Sequence, residues 1–162
     1  MKISHQLNAS QLYALVVVRI LLGWYLLYEG LAKLFNPHWS SFGYLKSAQG
    51  FLSSFFHGLA DNPQSIEIVN QLNIWGLIAI GCALILGLFG RFTALAGAFL
   101  ILLYYLAHPP LIHANEALLS TENTLWVDKN LIFIGVLVLL YLFPSSTFIG
   151  IDRFIFFKRN QP

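Results

Sequence analysis

Glu29 and Lys33 stand one helical turn apart near the end of an apolar stretch from about Leu12 to Phe35, which also carries Arg19. In that order, acid first at i,i+4, the two side chains form a favourable ion pair. In a low-dielectric site the pairing keeps both charged and holds them in register. Ionisable groups in a segment long enough to cross a bilayer are costly, so they mark a site or a buried polar contact and not lipid-facing surface. With Arg19 at zero on a 3.6-residue wheel, Gly23 falls near ~40°, Leu26 near ~340°, Glu29 near ~280°, Gly30 near ~20° and Lys33 near ~320°. The charges and both glycines share one face, about a third of the circumference, and that face looks inward. Two roles are open to the pair: a ligand or proton-transfer site, or a contact that fixes helix packing.

Other polar residues reach the same depth. Asn73 and Trp75 open a second apolar stretch, Tyr104 and His108 close a third, and Asp128 begins a fourth. Asn73 lies near a small-residue stripe of Gly76, Ala83 and Gly87, along which helices approach closely. Tyr104 and His108 are i,i+4 neighbours on the side of Gly97, and Asp128 lies on the side of Gly135. Lys129 is turned about 100° away and snorkels toward headgroups. Four segments thus supply polar groups to one pocket at outer-leaflet depth, built on Glu29, Lys33, His108 and Asp128. A histidine with an ordinary pKa near ~6.5 can change charge at neutral pH. Tyr104, Tyr105, Trp39, Trp75 and Trp126 suit either an interfacial aromatic belt or the wall of this pocket.

The elements that place these residues are read from composition. The chain has 162 residues, 57% apolar, 15% aromatic and 10% charged, with mean hydropathy +0.69. Soluble domains are about 25% charged, so the deficit indicates a membrane protein. A bilayer core of ~30 Å takes roughly 20 helical residues. Four spans are expected, at 12–35, 72–89, 92–107 and 125–143, forming an all-α four-helix bundle in a single domain, 1–162. The Pro109–Pro110 pair ends the third. The fourth has a pure apolar core of only Leu131–Phe143 and must draw Trp126, Asp128 and Asn130 into the interface. The first span is too long for a signal-peptide core and has no A-x-A-like site after it.

Between spans one and two, Phe42, Leu45, Phe51, Leu52, Phe55, Phe56 and Leu59 make the connection too apolar for a solvated linker. Either an amphipathic interfacial helix or a hydrophobic loop over the bundle is expected there. With four spans, Lys2, Arg91, Arg153, Lys158 and Arg159 share a side, against Lys33, Lys46 and Lys129 on the other. The bias places both termini in the cytoplasm.

Several chemistries are excluded. A net charge of +2 without a basic run interleaved with aromatics does not suit nucleic acid. The lone Cys82 rules out an internal disulfide, a CxxC pair and a cysteine-built metal site. Of His5, His38, His57, His108 and His113 only His108 sits at a span end, so no bis-histidine haem is expected, and no metal site is assigned. No H-E-x-x-H, G-x-S-x-G or P-loop occurs. Arg19 and Arg91 read as packing and orientation residues.

The run from Arg19 through ILLGWYLLYEG to Lys33, followed by NIWGLIAIGCALILGLFGR, LLYYLAHPP and WVDKNLI, resembles the DoxX/DoxD group of small membrane proteins over nearly the whole chain. It is most similar to the branch of the small, DoxD-type subunit of thiosulfate:quinone oxidoreductase. The resemblance implies a four-helix membrane bundle and a link to passing electrons from a reduced sulfur compound to quinone. Many relatives carry a carboxylate in the second span, whereas here that stretch reads Trp75-Gly76-Leu77.

On this reading the chain is an inner-membrane subunit of a quinone-linked oxidoreductase with a second protein subunit. Glu29 and Lys33 organise the site, His108 and Tyr104 face the quinone head, and Asn73, Trp75 and Trp126 line it. The alternative is a non-catalytic membrane adaptor, in which the 42–59 segment is a contact surface. A transporter fits least, because only Arg19 is charged in the inner half.

Overall fold

The computed structural model describes residues 8–109 and 127–157, with side chains through 154. It is 79% helical, without strands among the described residues. The elements are α1 (Ala9–Leu34), α2 (Phe42–Lys46), α3 (Ser53–Asp61), α4 (Pro63–Leu86), α5 (Gly90–Ala107), α6 (Lys129–Leu142), a 3-10 turn at Ser145–Thr147, and α7 (Ile151–Phe157).

Three helices, α1, α4 and α5, are long and apolar enough to cross a membrane, and only 33%, 17% and 28% of their apolar windows are buried. Most of that apolar surface therefore points outward, which suits contact with lipid and not with water. Trp24, Tyr28, Phe92 and Phe99 are among the outward side chains.

The expected bounds shift for physical reasons. α4 begins at Pro63, well before 72, because the Asn62 side chain accepts from the backbone N–H groups of Gln64 (3.0 Å) and Ser65 (3.5 Å), with proline at the first helical position. At its other end Gly87 takes a left-handed conformation, φ +66°, and Phe89 another, φ +48°. The chain then turns into α5 after three residues. Such a backbone is strained for phenylalanine, and a distant carboxylate described below holds it.

The core joins Leu22 and Leu26 of α1, Leu77 and Leu84 of α4, Ala94 and Ile101 of α5, and Leu137 and Leu140 of α6. α1 packs mainly on α4, and α5 on α6. The α1–α4 seam runs through Gly23, Gly30 and Gly81; of the expected stripe Gly76 has room, whereas Gly87 is closely approached, a Cβ there standing 2.8 Å from the Gly150 Cα and 3.1 Å from the Arg19 guanidinium. A Cβ at Gly81 would stand 2.6 Å from the Leu27 nitrogen and 2.8 Å from the Gly23 carbonyl oxygen, whereas one at Gly76 would meet only Leu100, at 3.9 Å. Gly97 does face a neighbour, Leu137, but Gly135 has open space around it. It therefore does not mark an inward face for Asp128.

The 42–59 connection resolves into α2 and α3, which carry a small core of their own. Leu45, Ala48, Phe56 and Ala60 pack against Ala107 at the end of α5 and against Ile66 and Val69 of α4. Phe51 (79% exposed) and Phe55 (58%) point away. The segment is amphipathic and also covers the bundle, so both sequence expectations hold in part.

Candidate functional site

The C-terminal ends of α1 and α5 meet the middle of α4 in a polar cluster, and its centre is Lys33. Its Nζ lies 3.3 Å from Glu29 Oε2, with side-chain exposures of 18% and 40% respectively. The spacing brings this about, since residues four apart on a helix are neighbours. The ammonium also lies 5.6 Å from the centroid of the Trp39 ring and 5.9 Å from that of Tyr104, within cation–π range. An ammonium carries three N–H groups and the Glu29 bond uses one. Lys129 stands near enough for its charge to act on Lys33.

Asn73 of α4 donates from Nδ2 to the Tyr104 hydroxyl at 2.7 Å. The hydroxyl keeps its own proton to donate onward. Asn73 Oδ1 is buried and has no partner among the described residues. Buried polar atoms are paired as a rule, so this acceptor is a notable feature of the cluster.

Tyr44 of α2 roofs the site. Its hydroxyl donates to the Tyr104 carbonyl oxygen at 3.0 Å, a second bond beside the one from the His108 N–H at 3.2 Å. Gln49 N–H likewise serves the Ala107 carbonyl at 2.8 Å. Burial, and to a lesser degree the charge of Asp128, pushes the Tyr44 hydroxyl pKa up to about 12.

His108 packs its ring on Tyr44, 4.3 Å between centroids, and its Nε2 lies 3.0 Å from the Tyr44 carbonyl oxygen. A carbonyl only accepts, so Nε2 carries the proton of the neutral ring, and Nδ1 then offers a lone pair. Neutral His108 is thus poised to accept a proton at Nδ1. Only its cation has a second N–H to offer.

Of the residues expected from sequence, Glu29, Lys33, Asn73 and Tyr104 come together directly, and His108 joins through Tyr44. Asp128 reaches this end, but its carboxylate is occupied. It caps α6 by accepting from Leu131 N–H at 2.9 Å and also accepts from Asn130 Nδ2 at 2.7 Å. Trp75 is not brought to the cluster: it is 55% exposed, and its indole N–H donates to Gln71 one turn back, at 3.0 Å. Helical rotation turns it outward even though its depth matches. Trp126 lies outside the described residues, as do His113, Glu116 and Glu122. Tyr44 is the member that spacing does not single out; Trp39, one of the aromatic residues that suit a belt or the pocket wall, does lie beside Lys33.

The opposite end of the bundle is built differently. Arg19, 4% exposed, donates to Ser145 Oγ (3.2 Å) and to the Ile149 carbonyl oxygen (2.9 Å). Asp152, 3% exposed, accepts from Phe89 N–H (2.7 Å) and Gly90 N–H (2.9 Å), capping α5 and holding the strained turn. Its charge also acts on Arg19. This end ties α1, the α4–α5 turn and the C-terminal segment into one closed unit.

The DoxX family model matches residues 14–109, more than half of the 162. That stretch contains Arg19, Glu29, Lys33, Asn73, Tyr104 and His108. Comparison with curated proteins and with solved structures gave no match. The matched segment takes in the three membrane-length helices and most of the polar cluster, and on that evidence the chain belongs to the DoxX family of integral membrane proteins.

Proposed function

We propose that this chain is the membrane subunit of a quinone-linked oxidoreductase of the DoxD type, with the quinone head held at the Glu29 end. The observation that carries the reading is Lys33, fixed by Glu29 and set between the Trp39 and Tyr104 rings beside the unpartnered Asn73 carbonyl oxygen. The Lys33 ammonium and Tyr104 hydroxyl are donors that suit the carbonyl oxygens of a flat ring reaching the site through the lipid, and the Asn73 carbonyl oxygen would accept from a hydroxyl of the reduced ring. When bound, a quinone accepts two electrons and two protons at those oxygens. Lys33 and the Tyr104 hydroxyl donate hydrogen bonds that orient the head. His108 accepts or returns a proton at Nδ1, and its Nε2–H, held by the Tyr44 carbonyl, fixes the ring.

The single cysteine leaves no thiol pair to carry electrons from a sulfur compound. Cys82 lies within α4, away from any water-borne sulfur compound. Lys33 and Lys129 stand against Glu29 and Asp128, a balance that disfavours a thiosulfate-like dianion here. We therefore assign oxidation of the reduced sulfur compound to a second subunit.

We further propose that the chain, as a single domain, crosses the inner membrane four times with both termini cytoplasmic. α6 has 14 residues and spans about 21 Å, so the residues around Asp128 and Phe143 complete the fourth crossing at the interfaces.

Purification in nanodiscs followed by mass spectrometry tests this reading. The wild type should carry a quinone, and Glu29→Gln and His108→Ala should lose it at unchanged folded yield. A folded wild type free of quinone, with a stoichiometric protein bound instead, favours the adaptor reading. That alternative rests on the exposed Phe51 and Phe55 of the α2–α3 cover, and under it Phe51→Ser and Phe55→Ser release the partner.

A further inference from the structure

The Arg19 end holds two buried polar atoms without a partner among the described residues, Arg19 Nε and Ser146 Oγ. Both residues line one small cavity of about 10 Å³, counted as space open to the centre of a water-sized sphere. Ser145 lines it too, and Leu84 and Leu140 close its apolar side. Arg19 uses its other nitrogens on Ser145 Oγ and the Ile149 carbonyl. Ser145 accepts in that bond and keeps its own O–H to donate.

We propose that this cavity binds one ordered water molecule. The water accepts from Arg19 Nε–H and Ser145 O–H and donates to Ser146 Oγ, completing the hydrogen bonding of a buried guanidinium. Three points carry the assignment. A buried water needs roughly 10–15 Å³ of such space and 2–4 polar partners, and the cavity offers both. Larger ligands are excluded by volume, and an anion is further disfavoured by the Asp152 carboxylate, whose charge acts on Arg19. Gly90 keeps the space open, because a Cβ there would run into the Ser146 hydroxyl. The water is thus part of the lock that joins α1, the α4–α5 turn and the C-terminal segment, independent of any role at the Glu29 end.

The test uses the full chain in nanodiscs. A structure at about 2 Å resolution should show a density peak within about 3.2 Å of both Arg19 Nε and Ser146 Oγ. In parallel, Ser146→Ala should lower Tm by about 3–5 °C, since it removes a bonded acceptor. If Ser146 Oγ were buried and unbonded, the same change would relieve a desolvated hydroxyl and leave Tm unchanged or raise it. No peak in the density, or a Tm that holds or rises, overturns the proposal.

Discussion

The two ends of the helix bundle use charge in opposite ways. At the Arg19 end a guanidinium and a carboxylate are both buried and bonded to backbone or serine groups from distant parts of the chain, and the polar atoms left over, Arg19 Nε and Ser146 Oγ, face only a water-sized cavity. At the Glu29 end the ion pair is local to one helix and half open, and the polar atoms beside it keep hydrogen-bonding capacity in reserve. Buried charge that bonds groups from distant parts of the chain holds a fold together. Charge that stays partly exposed beside aromatic walls and an unpaired acceptor is suited to meeting something from outside. Function is therefore sought at the Glu29 end and stability at the Arg19 end.

The contrast breaks first, and hardest, at Asp152. Asp152→Ala removes two charge-assisted bonds to the Phe89 and Gly90 amides and the countercharge of Arg19. A loss of about 3 kcal/mol is expected, read as unfolding at markedly lower temperature in nanodiscs. A similar but smaller loss, about 2 kcal/mol, follows Gly81→Ala, because the added methyl enters the backbone of α1 at Leu27. The same substitution at Gly76, where there is room, should be neutral, so the pair of variants locates the α1–α4 seam.

Tyr44 sharpens the comparison at intermediate size. Tyr44→Phe should cost about 1 kcal/mol at neutral pH by removing one of the two hydrogen bonds on the Tyr104 carbonyl, which the His108 N–H also serves. The folded hydroxyl ionises near pH 12 against an ordinary value of 10.0. Between those values the unfolded chain loses the proton while the folded one keeps it. The folded state then binds more protons, and stability falls as pH rises through that window. The alkaline slope of Tm should flatten in Tyr44→Phe; an unchanged slope would mean that the tyrosine is not held as described.

Glu29→Gln should have the smallest effect on stability, below about 1 kcal/mol, since the Glu29 side chain is 40% exposed and the amide oxygen of glutamine can still accept from Lys33. Its effect on ligand retention should be the largest of the set.

Much of this architecture was legible in the sequence. The inward face of α1 was, since Arg19, Gly23, Leu26 and Gly30 are buried together, and the i,i+4 spacing announced the Glu29–Lys33 pair. The meeting of Asn73 with Tyr104 followed from depth and face. What escaped was set by rotation or by distance along the chain. Trp75 has the right depth and the wrong rotation. Gly81, not Gly76, makes the close approach to the α1 backbone, while Gly87 meets Arg19 and Gly150, because the crossing point of two helices depends on partner shape as well as on the stripe of small residues. The start of α4 was signalled by Asn62-Pro63, a cap and first-turn pair hidden in a connection that reads as irregular. Asp152 left only a faint trace, a single acid in an apolar C-terminal run, because its partners lie 63 and 62 residues away. Tyr44 joins the site only through the placement of α2 against the end of α5.

The most direct measurement sets Glu29→Gln beside Asp152→Ala and reads folded yield and bound quinone from the same nanodisc preparations. The account predicts that Glu29→Gln folds as the wild type does and loses the quinone, while Asp152→Ala loses folded protein and the quinone only in proportion. If Glu29→Gln instead loses folded protein to the same degree, or folds and keeps its quinone, the division of labour between the two ends is contradicted.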